Sequence, residues 1–336
     1  MGALHTETVL YVGTYTNINS KGIYRFIWHD ETLHLAGCTE AVNPSYLAVQ
    51  GNRLYAVRET LNGGAVSYRI QPDGTLTLTG EQPVHGDAPC HVLPMGNRLT
   101  VSNYTSGSLA VFNPDKDGAI TSPPHVIQHH GSSVHLTRQR SAHVHQAQPT
   151  ADGRFLAVCD LGDDAVFFYP LDTEGNLAPA QRVSLPAGSG PRHAAFGPGE
   201  YWYVLCELSC ELLVYHGYDT DAKLLQRSNA LRAGESESAG AALRLSPDGT
   251  LLLASIRGAN TLVLWSIGTD GLPYNAKWFA SHGNWPRDAA FTPDGRYVFC
   301  ACEKDDCVTV FKVHQGELTF LCTAAVPTPA CVCFSE

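Results

Sequence analysis

The chain has 336 residues, of which 44% are hydrophobic and 16% are charged, so it can bury a large core and lacks the composition of a disordered protein. Acidic residues outnumber basic ones by 32 to 22, and the net charge of −10 argues against a nucleic-acid partner. The sequence has no signal-type start and no apolar run of the ~18 residues that a membrane span requires. We therefore expect a cytoplasmic protein without membrane association.

The N-terminal part of the chain predicts three β-strands that lack a first partner. Apolar and polar residues alternate in Val9-Leu-Tyr-Val-Gly-Thr, Gly22-Ile-Tyr-Arg-Phe-Ile-Trp and Thr32-Leu-His-Leu, and a period of two is typical of strands. Three strands over residues 8–40 leave an edge unpaired, so we expect a fourth strand from elsewhere in the chain to complete the sheet.

From residue 44 onward, one sequence unit is repeated. It is clearest in Pro191-Arg-His-Ala-Ala-Phe and Pro286-Arg-Asp-Ala-Ala-Phe, and each unit continues through Gly-containing turns into further apolar strands. Six units begin near residues 44, 89, 143, 191, 240 and 286, so that successive starts are 45 to 54 residues apart. This length fits one four-stranded blade of a β-propeller.

The C-terminal residues supply the strand that the N-terminal segment lacks. Pro329-Ala-Cys-Val-Cys-Phe matches the opening strand of the repeat, and no further strands follow it. Pairing residues 329–336 with residues 8–40 completes a seventh blade and closes the ring. The sequence thus predicts an all-β protein with one domain over residues 1–336, folded as a seven-bladed β-propeller with four-stranded antiparallel blades.

Two sets of residues are predicted to meet at one face of this ring. In an up-and-down blade, the residues that enter the first strand and those that follow the second strand lie at the same end of the central channel. The residues that follow the second strands are all polar, and they are Tyr15, Glu59, Asn103, Asp160, Glu207, Arg257 and Glu303. The entry positions add His145, Arg192, His193 and Arg287 to this channel mouth.

Arginine is the prominent cation of the predicted mouth. Of the 22 basic residues in the chain, 16 are arginine, and the mouth contains Arg192, Arg257 and Arg287. Guanidinium groups bind carboxylate and phosphate through paired hydrogen bonds, so the mouth favours a small anionic ligand despite the acidic net charge. For any single position, ordinary solvation of a strand end is the alternative interpretation.

Eight short motifs, in this order and spacing, resemble the seven-bladed propeller lactonase family over essentially the whole chain. The motifs are Tyr11-Val-Gly-Thr-Tyr-Thr16, Asn43-Pro-Ser-Tyr-Leu-Ala48, Asn103-Tyr-Thr-Ser-Gly-Ser108, His143-Val-His145, Cys159-Asp-Leu-Gly-Asp-Asp164, Gly190-Pro-Arg-His193, Glu207-Leu and Arg257-Gly-Ala-Asn260. That family contains propeller-type 6-phosphogluconolactonases and fungal 3-carboxy-cis,cis-muconate lactonizing enzymes. The resemblance implies four catalytic residues, which are His145, Arg192, Glu207 and Arg257.

Lactone hydrolysis needs a base that activates water and a cation or hydrogen-bond donor that stabilises the oxyanion. We expect His145 or Glu207 to be the base, and Arg192 or Arg257 to stabilise the oxyanion. The predicted function is hydrolysis of an anionic sugar lactone, with 6-phosphogluconolactone, a metabolite of the pentose phosphate pathway, as the first candidate.

Other residues of the mouth are expected to bind the rest of the substrate. Arg287 with His193 is predicted to hold a phosphate or carboxylate. The remaining substrate-binding candidates are His143, Asn103 and Asp160. The long connection over residues 124–142 is interpreted either as a substrate clamp or as a surface excursion. Many members of the family have Gln-Glu-Gly-Pro before the His pair, whereas this chain has Gln139-Arg-Ser-Ala.

Three alternatives stay open at this point. A cycloisomerase of the muconate-lactonizing type would use similar groups, and a propeller can also serve as a binding platform without chemistry. His143 and His145 could hold a metal, although the family is not known to require one. A His-x-His in a polar channel can instead donate hydrogen bonds and orient the substrate, so we expect no metal. No nucleotide-binding motif is present, so we expect no other cofactor. A closed ring requires no partner edge, so a monomer is compatible with the sequence.

Cysteine usage indicates reduced thiols rather than a disulfide framework. The chain has 11 cysteines, an odd number, and the pairs Cys300-Ala-Cys302 and Cys331-Val-Cys333 lie in apolar strand patterns. We expect these thiols to be buried in the core. Cys206 precedes Glu207 directly and so points to the other side of its strand, which argues against a cysteine nucleophile at the mouth.

Overall fold

The computed structural model describes residues 7–335, so residues 1–6 and 336 of the predicted domain lie outside the described range. Within that range the chain forms 28 β-strands in seven four-stranded antiparallel sheets. Helix in the same range is limited to two short 3-10 segments, Asp219–Asp221 and Glu303–Asp305. The predicted seven-bladed propeller is confirmed.

The first four blades are numbered I to IV from the first complete sheet, and their strands are given from the channel outward. Blade I contains β4 Leu47–Gln50, β5 Arg53–Arg58, β6 Gly64–Ile70 and β7 Leu76–Pro83. Blade II contains β8 Pro89–Met95, β9 Arg98–Asn103, β10 Ser108–Phe112 and β11 His125–Gln128. Blade III contains β12 Val144–Pro149, β13 Phe155–Asp160, β14 Ala165–Pro170 and β15 Gln181–Ser184. Blade IV contains β16 Pro191–Phe196, β17 Tyr201–Cys206, β18 Glu211–His216 and β19 Lys223–Asn229.

The last three blades complete the ring. Blade V contains β20 Ala239–Leu245, β21 Leu251–Arg257, β22 Thr261–Ile267 and β23 Pro273–Ala280. Blade VI contains β24 Pro286–Phe291, β25 Tyr297–Cys302, β26 Cys307–His314 and β27 Glu317–Ala325. Blade VII contains β28 Pro329–Phe334, β1 Thr8–Thr14, β2 Gly22–His29 and β3 Thr32–Glu40.

Blade VII joins the two ends of the chain. Strand β28 pairs antiparallel with β1, and Tyr11 lies opposite Cys333 in this ladder. The C-terminal strand therefore supplies the missing inner strand of the N-terminal sheet, as the repeat predicts. The seven inner strands begin at or within three residues of the seven repeat starts.

The apolar core lies between the blades rather than in the central channel. Seven clusters of buried residues each join two neighbouring blades. Between blades III and IV, for example, the rings of Phe168 and Trp202 pack edge to face with their centroids 5.2 Å apart. Because sheet faces bury the apolar residues of alternate strand positions, polar side chains of the inner strands are left to line the channel.

A repeated tyrosine contact fixes neighbouring blades relative to each other. The hydroxyl of Tyr203 in blade IV donates a hydrogen bond of 2.8 Å to the carbonyl of Gly271, in the turn between β22 and β23 of blade V. Tyr11 and Tyr55 make the same bond to Gly74 and Gly118 of the following blade, at 2.7 and 3.0 Å. Gly271 has a φ of +73°, which glycine adopts without strain, and an added Cβ would lie 2.4 Å from the Tyr201 ring.

All eleven cysteines are free thiols. Cys300, Cys302 and Cys331 are buried as predicted, whereas Cys333 is only half-buried. No helix between residues 7 and 335 is long and apolar enough to cross a membrane.

Candidate active site at the channel mouth

The inner strands of four blades begin with a β-bulge that carries a residue of the mouth. The strand register shifts between Pro89 and His91, between Val144 and Gln146, between Pro191 and His193, and between Pro286 and Asp288. The additional residues are Cys90, His145, Arg192 and Arg287. A bulge leaves its extra residue outside the ladder and changes the direction of its side chain. This local geometry brings the four side chains to the walls of one recess.

Glu207 lies at the centre of a cluster of three guanidinium groups. It directly follows β17, and its Oε2 atom accepts hydrogen bonds from Arg192 Nη1 at 2.6 Å and pairs with Arg257 Nη2 at 2.9 Å. Its Oε1 atom lies 2.5 Å from Arg138 Nη2. Burial raises the pKa of Glu207, but Arg257, Arg192 and the other neighbouring cations lower it well below its usual range. Glu207 is therefore ionised at neutral pH.

Two of these guanidinium groups are fixed by the backbone of blade V. Arg192 Nε donates to the carbonyl of Ala241 at 3.1 Å, and Arg257 Nη2 donates to the carbonyl of Gly240 at 2.9 Å. Both arginines are 6% exposed. Burial, opposed by Glu207, lowers the pKa of Arg257 to about 10, so the group stays charged at neutral pH.

His145 contacts the same cluster through one ring nitrogen. Arg192 Nη1 lies 2.5 Å from His145 Nε2 and donates to it, so the ring proton of the neutral imidazole is on Nδ1. This Nδ1 atom is buried and has no hydrogen-bond partner among residues 7–335. Burial and the charge of Arg192 lower the pKa of His145 well below its usual range. The imidazole is thus neutral at neutral pH, and its Nε2 lone pair accepts the bond from Arg192.

The opposite side of the mouth is built around Arg287. Its guanidinium donates to the hydroxyl of Tyr15, and its Nη1 atom lies 3.5 Å from Glu303 Oε2. The Tyr15 hydroxyl donates in turn to Glu59 Oε2 at 2.8 Å. Two carboxylates therefore accompany this one guanidinium, in contrast to the single carboxylate among the three arginines on the other side.

A second layer of polar groups lies deeper in the channel. Arg244 Nη1 lies 3.2 Å from His193 Nδ1, and Arg244 Nη2 pairs with Asp288 Oδ1 at 2.9 Å. The same guanidinium donates to the hydroxyl of Tyr46 at 3.0 Å. The His193 ring is 5.7 Å from that of His145, measured between centroids, and both rings line the recess.

Three predicted substrate-binding residues have structural contacts instead of a place on the walls of the recess. Asp160 is fully buried, and its oxygens accept from the backbone of His143 at 2.7 Å and pair with His129 at 2.9 Å. Asn103 is also fully buried and donates to Ser108 at 3.0 Å. His143 stacks on Tyr104, with ring centroids 4.5 Å apart, at the edge of the mouth.

The connection before the His motif supplies a residue that the sequence analysis missed. Its first part is strand β11, which pairs with β10, so only residues 129–143 form the loop between blades II and III. Within this loop Arg138 reaches Glu207 and also donates to the hydroxyl of Tyr104 at 2.9 Å. Arg140 is exposed, and its Nε atom donates to the carbonyl of Leu136. The unusual length of the segment was the available signal, but it did not identify Arg138.

The recess beside these groups is narrow, with a cavity volume of about 10 Å³, and it is lined by groups that can bind a small anion. Its walls include His145, Arg192, Arg287 and Glu59. The site thus combines a neutral imidazole, buried cations for a developing oxyanion, and an excess of positive charge around Glu207.

Cys206 is fully buried in the core between blades III and IV, where burial raises its pKa. Among residues 7–335, no three His, Cys, Asp or Glu side chains are grouped so that they could hold a metal ion.

Comparison with known proteins gives matches over nearly the whole chain. A family model described as "Lactonase, 7-bladed beta-propeller" matches residues 9–334. The chain is 32% identical to the 6-phosphogluconolactonase of Bacillus subtilis over 346 residues, covering 98% of this chain and 99% of that protein. It is 29% identical to a 6-phosphogluconolactonase of Formosa agariphila, with 92% and 94% covered. The periplasmic gluconolactonase of Pseudomonas aeruginosa has a similar structure, with a TM-score of 0.90, 32% identity and coverage of 98% and 99%.

Proposed function

Because this chain belongs to the seven-bladed β-propeller lactonase family, and is thus a lactone hydrolase, we propose that its substrate is an anionic sugar lactone, 6-phosphogluconolactone in the first place. The observation that carries this proposal is the grouping of Arg138, Arg192 and Arg257 around the single carboxylate of Glu207. Three permanent positive charges on one negative charge leave the site net positive. A ligand with its own negative charge offsets that excess.

In the proposed mechanism, His145 is the base. Nε2 of the neutral imidazole takes a proton from a water molecule whose oxygen attacks the lactone carbonyl carbon. Arg192 Nη1 donates to this nitrogen at 2.5 Å, so Nη1 must shift toward the developing oxyanion for the lone pair to become available, while Nε keeps its bond to the carbonyl of Ala241. The same motion places its charge where the negative charge develops.

Collapse of the tetrahedral intermediate completes the reaction. The bond between the carbonyl carbon and the ring oxygen breaks, and the protonated His145 returns its proton to the departing alkoxide. The product is an open-chain hydroxy acid. Glu207 orients the two buried arginines in this scheme, because its Oε2 atom contacts both Arg192 and Arg257.

The anionic tail of the substrate is assigned to the Glu207 side of the mouth. Arg287 is already accompanied by Glu59 and Glu303, and Nδ1 of His193 is bonded to Arg244. These contacts give no support to the expectation that Arg287 with His193 holds the phosphate. Arg287 remains on the wall of the recess, where it can contact the sugar hydroxyl groups.

The direct test measures the opening of 6-phosphogluconolactone by the purified protein against its spontaneous opening at the same pH. We expect acceleration that is saturable in substrate and persists after exhaustive chelation of divalent metals. Acceleration of no sugar lactone, together with conversion of 3-carboxy-cis,cis-muconate to its lactone, would favour the cycloisomerase. Inactivity on both classes would favour a binding platform.

A phosphorylated sugar lactone is an intracellular metabolite, so we also propose a cytoplasmic location for this enzyme. The Pseudomonas aeruginosa relative is described as periplasmic, which makes the location worth measuring directly. Cell fractionation, with activity measured in the cytoplasmic and exported fractions, tests this.

A further inference from the structure

We propose that Arg138 is the residue that recognises the anionic group of the substrate, and that its guanidinium does so by moving away from Glu207. The inference rests on the proposed lactonase function and deepens it, because it makes Arg138 the residue that selects charged over uncharged lactones. It is carried by three features of the site, namely its charge balance, the unequal anchoring of the arginines and the fixed backbone beside Arg138.

The charge balance points to the Glu207 side of the mouth. There, Arg138, Arg192 and Arg257 all contact one carboxylate. Two of them are enough to accompany that carboxylate, so one guanidinium can be transferred to a ligand without leaving Glu207 unpaired. At Arg287 the ratio is reversed, and a ligand anion there would be repelled by Glu59 and Glu303.

The three arginines differ in what holds them. Arg192 and Arg257 are 6% exposed and are also bonded to backbone carbonyls of blade V. The Arg138 side chain is 40% exposed, and the bonds of its guanidinium within residues 7–335 are to Glu207 and the Tyr104 hydroxyl. Solvent already reaches this group, and Glu207 Oε2 keeps its contacts with Arg192 and Arg257 when Arg138 leaves Oε1. It is therefore the least costly of the three to exchange.

The backbone beside Arg138 is well fixed, so the motion is confined to the side chain. The neighbouring Gln139 is fully buried, and its side chain donates to the carbonyl of Leu161 at 2.8 Å. The carbonyl of Gln139 also accepts from the backbone of Ser133 at 2.9 Å, and its Oε1 atom accepts from His135 at 3.1 Å. A long side chain on a fixed backbone can reach either Glu207 or a ligand above it, and no movement of the loop is required.

These features give a selectivity mechanism. A phosphate or carboxylate offers charged acceptor oxygens that compete with Glu207 Oε1 for Arg138, whereas the hydroxyl groups of a neutral lactone do not. The exchange replaces one charge-assisted hydrogen bond with another for the arginine. The anionic ligand gains a contact that its uncharged counterpart cannot make.

The test compares 6-phosphogluconolactone with glucono-δ-lactone, the same sugar without phosphate. In Arg138→Gln, the ratio of kcat/KM for the charged substrate to that for the neutral one should fall about 10- to 100-fold, as expected for loss of a charge-assisted hydrogen bond. The loss should lie mainly in KM, because the contact is made in both the ground state and the transition state. Arg138→Lys should restore part of the ratio. Arg140 is an exposed arginine of the same loop, so Arg140→Gln is the matched control and should leave the ratio unchanged.

Equilibrium binding separates failure of this inference from failure of the proposed function. Calorimetry with 6-phosphogluconate and gluconate measures the same preference without a chemical step. Suppose that the wild-type protein hydrolyses lactones. If Arg138→Gln then lowers kcat/KM equally for both substrates, or lowers both ligand affinities equally, the residue is merely structural and the inference is wrong. If the protein hydrolyses neither lactone but prefers 6-phosphogluconate and loses this preference in Arg138→Gln, the anion site stands and the proposed hydrolysis is wrong.

Discussion

Replacing Glu207 by Gln removes the only negative charge from between three guanidinium groups. Arg192 Nη1 and Arg257 Nη2 lie 2.6 and 2.9 Å from Glu207 Oε2. Both arginines are 6% exposed, and Glu207 itself is 3% exposed. The amide of glutamine keeps the volume and one acceptor oxygen, but it cannot offset a charge. Two buried cations therefore lose their counter-ion.

The expected loss of stability follows from that burial. Removing one partner of a buried ion pair costs about 3–5 kcal/mol, because the other charge is left without compensation. Arg138 contributes little to this cost, since its side chain is 40% exposed and solvent screens it. We expect the free energy of unfolding of Glu207→Gln to fall by about 3–5 kcal/mol and its lactonase rate to fall by at least ~100-fold.

Urea unfolding followed by tryptophan fluorescence measures the first quantity, and hydrolysis of 6-phosphogluconolactone measures the second. Glu211→Gln is the matched control, because Glu211 is also paired with an arginine, Arg227, at 2.9 Å, with side-chain exposures of 22% and 51%. An ion pair of this kind contributes about 0–1 kcal/mol. If Glu207→Gln costs no more stability than Glu211→Gln and keeps its rate, the cluster has neither the energetic nor the catalytic role argued above.

The pH dependence of stability gives an independent check on Glu207. Its pKa in the folded protein is depressed below the ordinary value of 4.5, so its contribution is fully present above pH 4.5 and is lost as pH falls through the folded pKa. The stability difference between wild type and Glu207→Gln should therefore be constant at neutral pH and shrink progressively below pH 4.5. A difference that grew on acidification would contradict the assigned direction.

Three further outcomes are expected. His145→Asn should lower the lactonase rate by at least ~100-fold but cost less stability than Glu207→Gln, because it leaves no buried charge unpaired; a full rate would remove His145 from the mechanism. Burial, with a smaller effect of nearby arginines, lowers the pKa of His91 from 6.5 to about 3, so stability is lost as pH falls from 6.5 toward 3. In that window His91→Asn should reduce the slope of unfolding free energy against pH by about 1.4 kcal/mol per pH unit, and an unchanged slope would contradict the shift. Tyr203→Phe should cost about 1 kcal/mol in urea unfolding, because the carbonyl of Gly271 loses its donor between blades.

The ring architecture was predictable because its signals are local and repeated. Each strand is marked by alternation of apolar residues, and the turns between strands by glycines such as Gly271. The opening strand at Pro329 and the three strands that begin at Thr8 are complementary parts of one blade. Counting strands therefore predicted that the two ends of the chain close the ring. The same reasoning identified His145, Arg192, Glu207 and Arg257 as neighbours, since equivalent positions of adjacent blades meet at one end of the channel.

The tertiary structure decided which of these polar groups face the recess and how their charges balance. Position at a strand end does not determine side-chain direction, because bulges turn Arg192 and Arg287 inward, whereas Asp160 turns to the backbone of its own loop. Nothing local in the sequence shows that Arg138, 69 residues before Glu207, reaches that carboxylate. Length, composition and repeats determine the ring and the location of its mouth, because each strand and turn is specified by residues that are neighbours in the sequence. The charge balance of the mouth arises only where side chains from distant parts of the chain meet in a desolvated space.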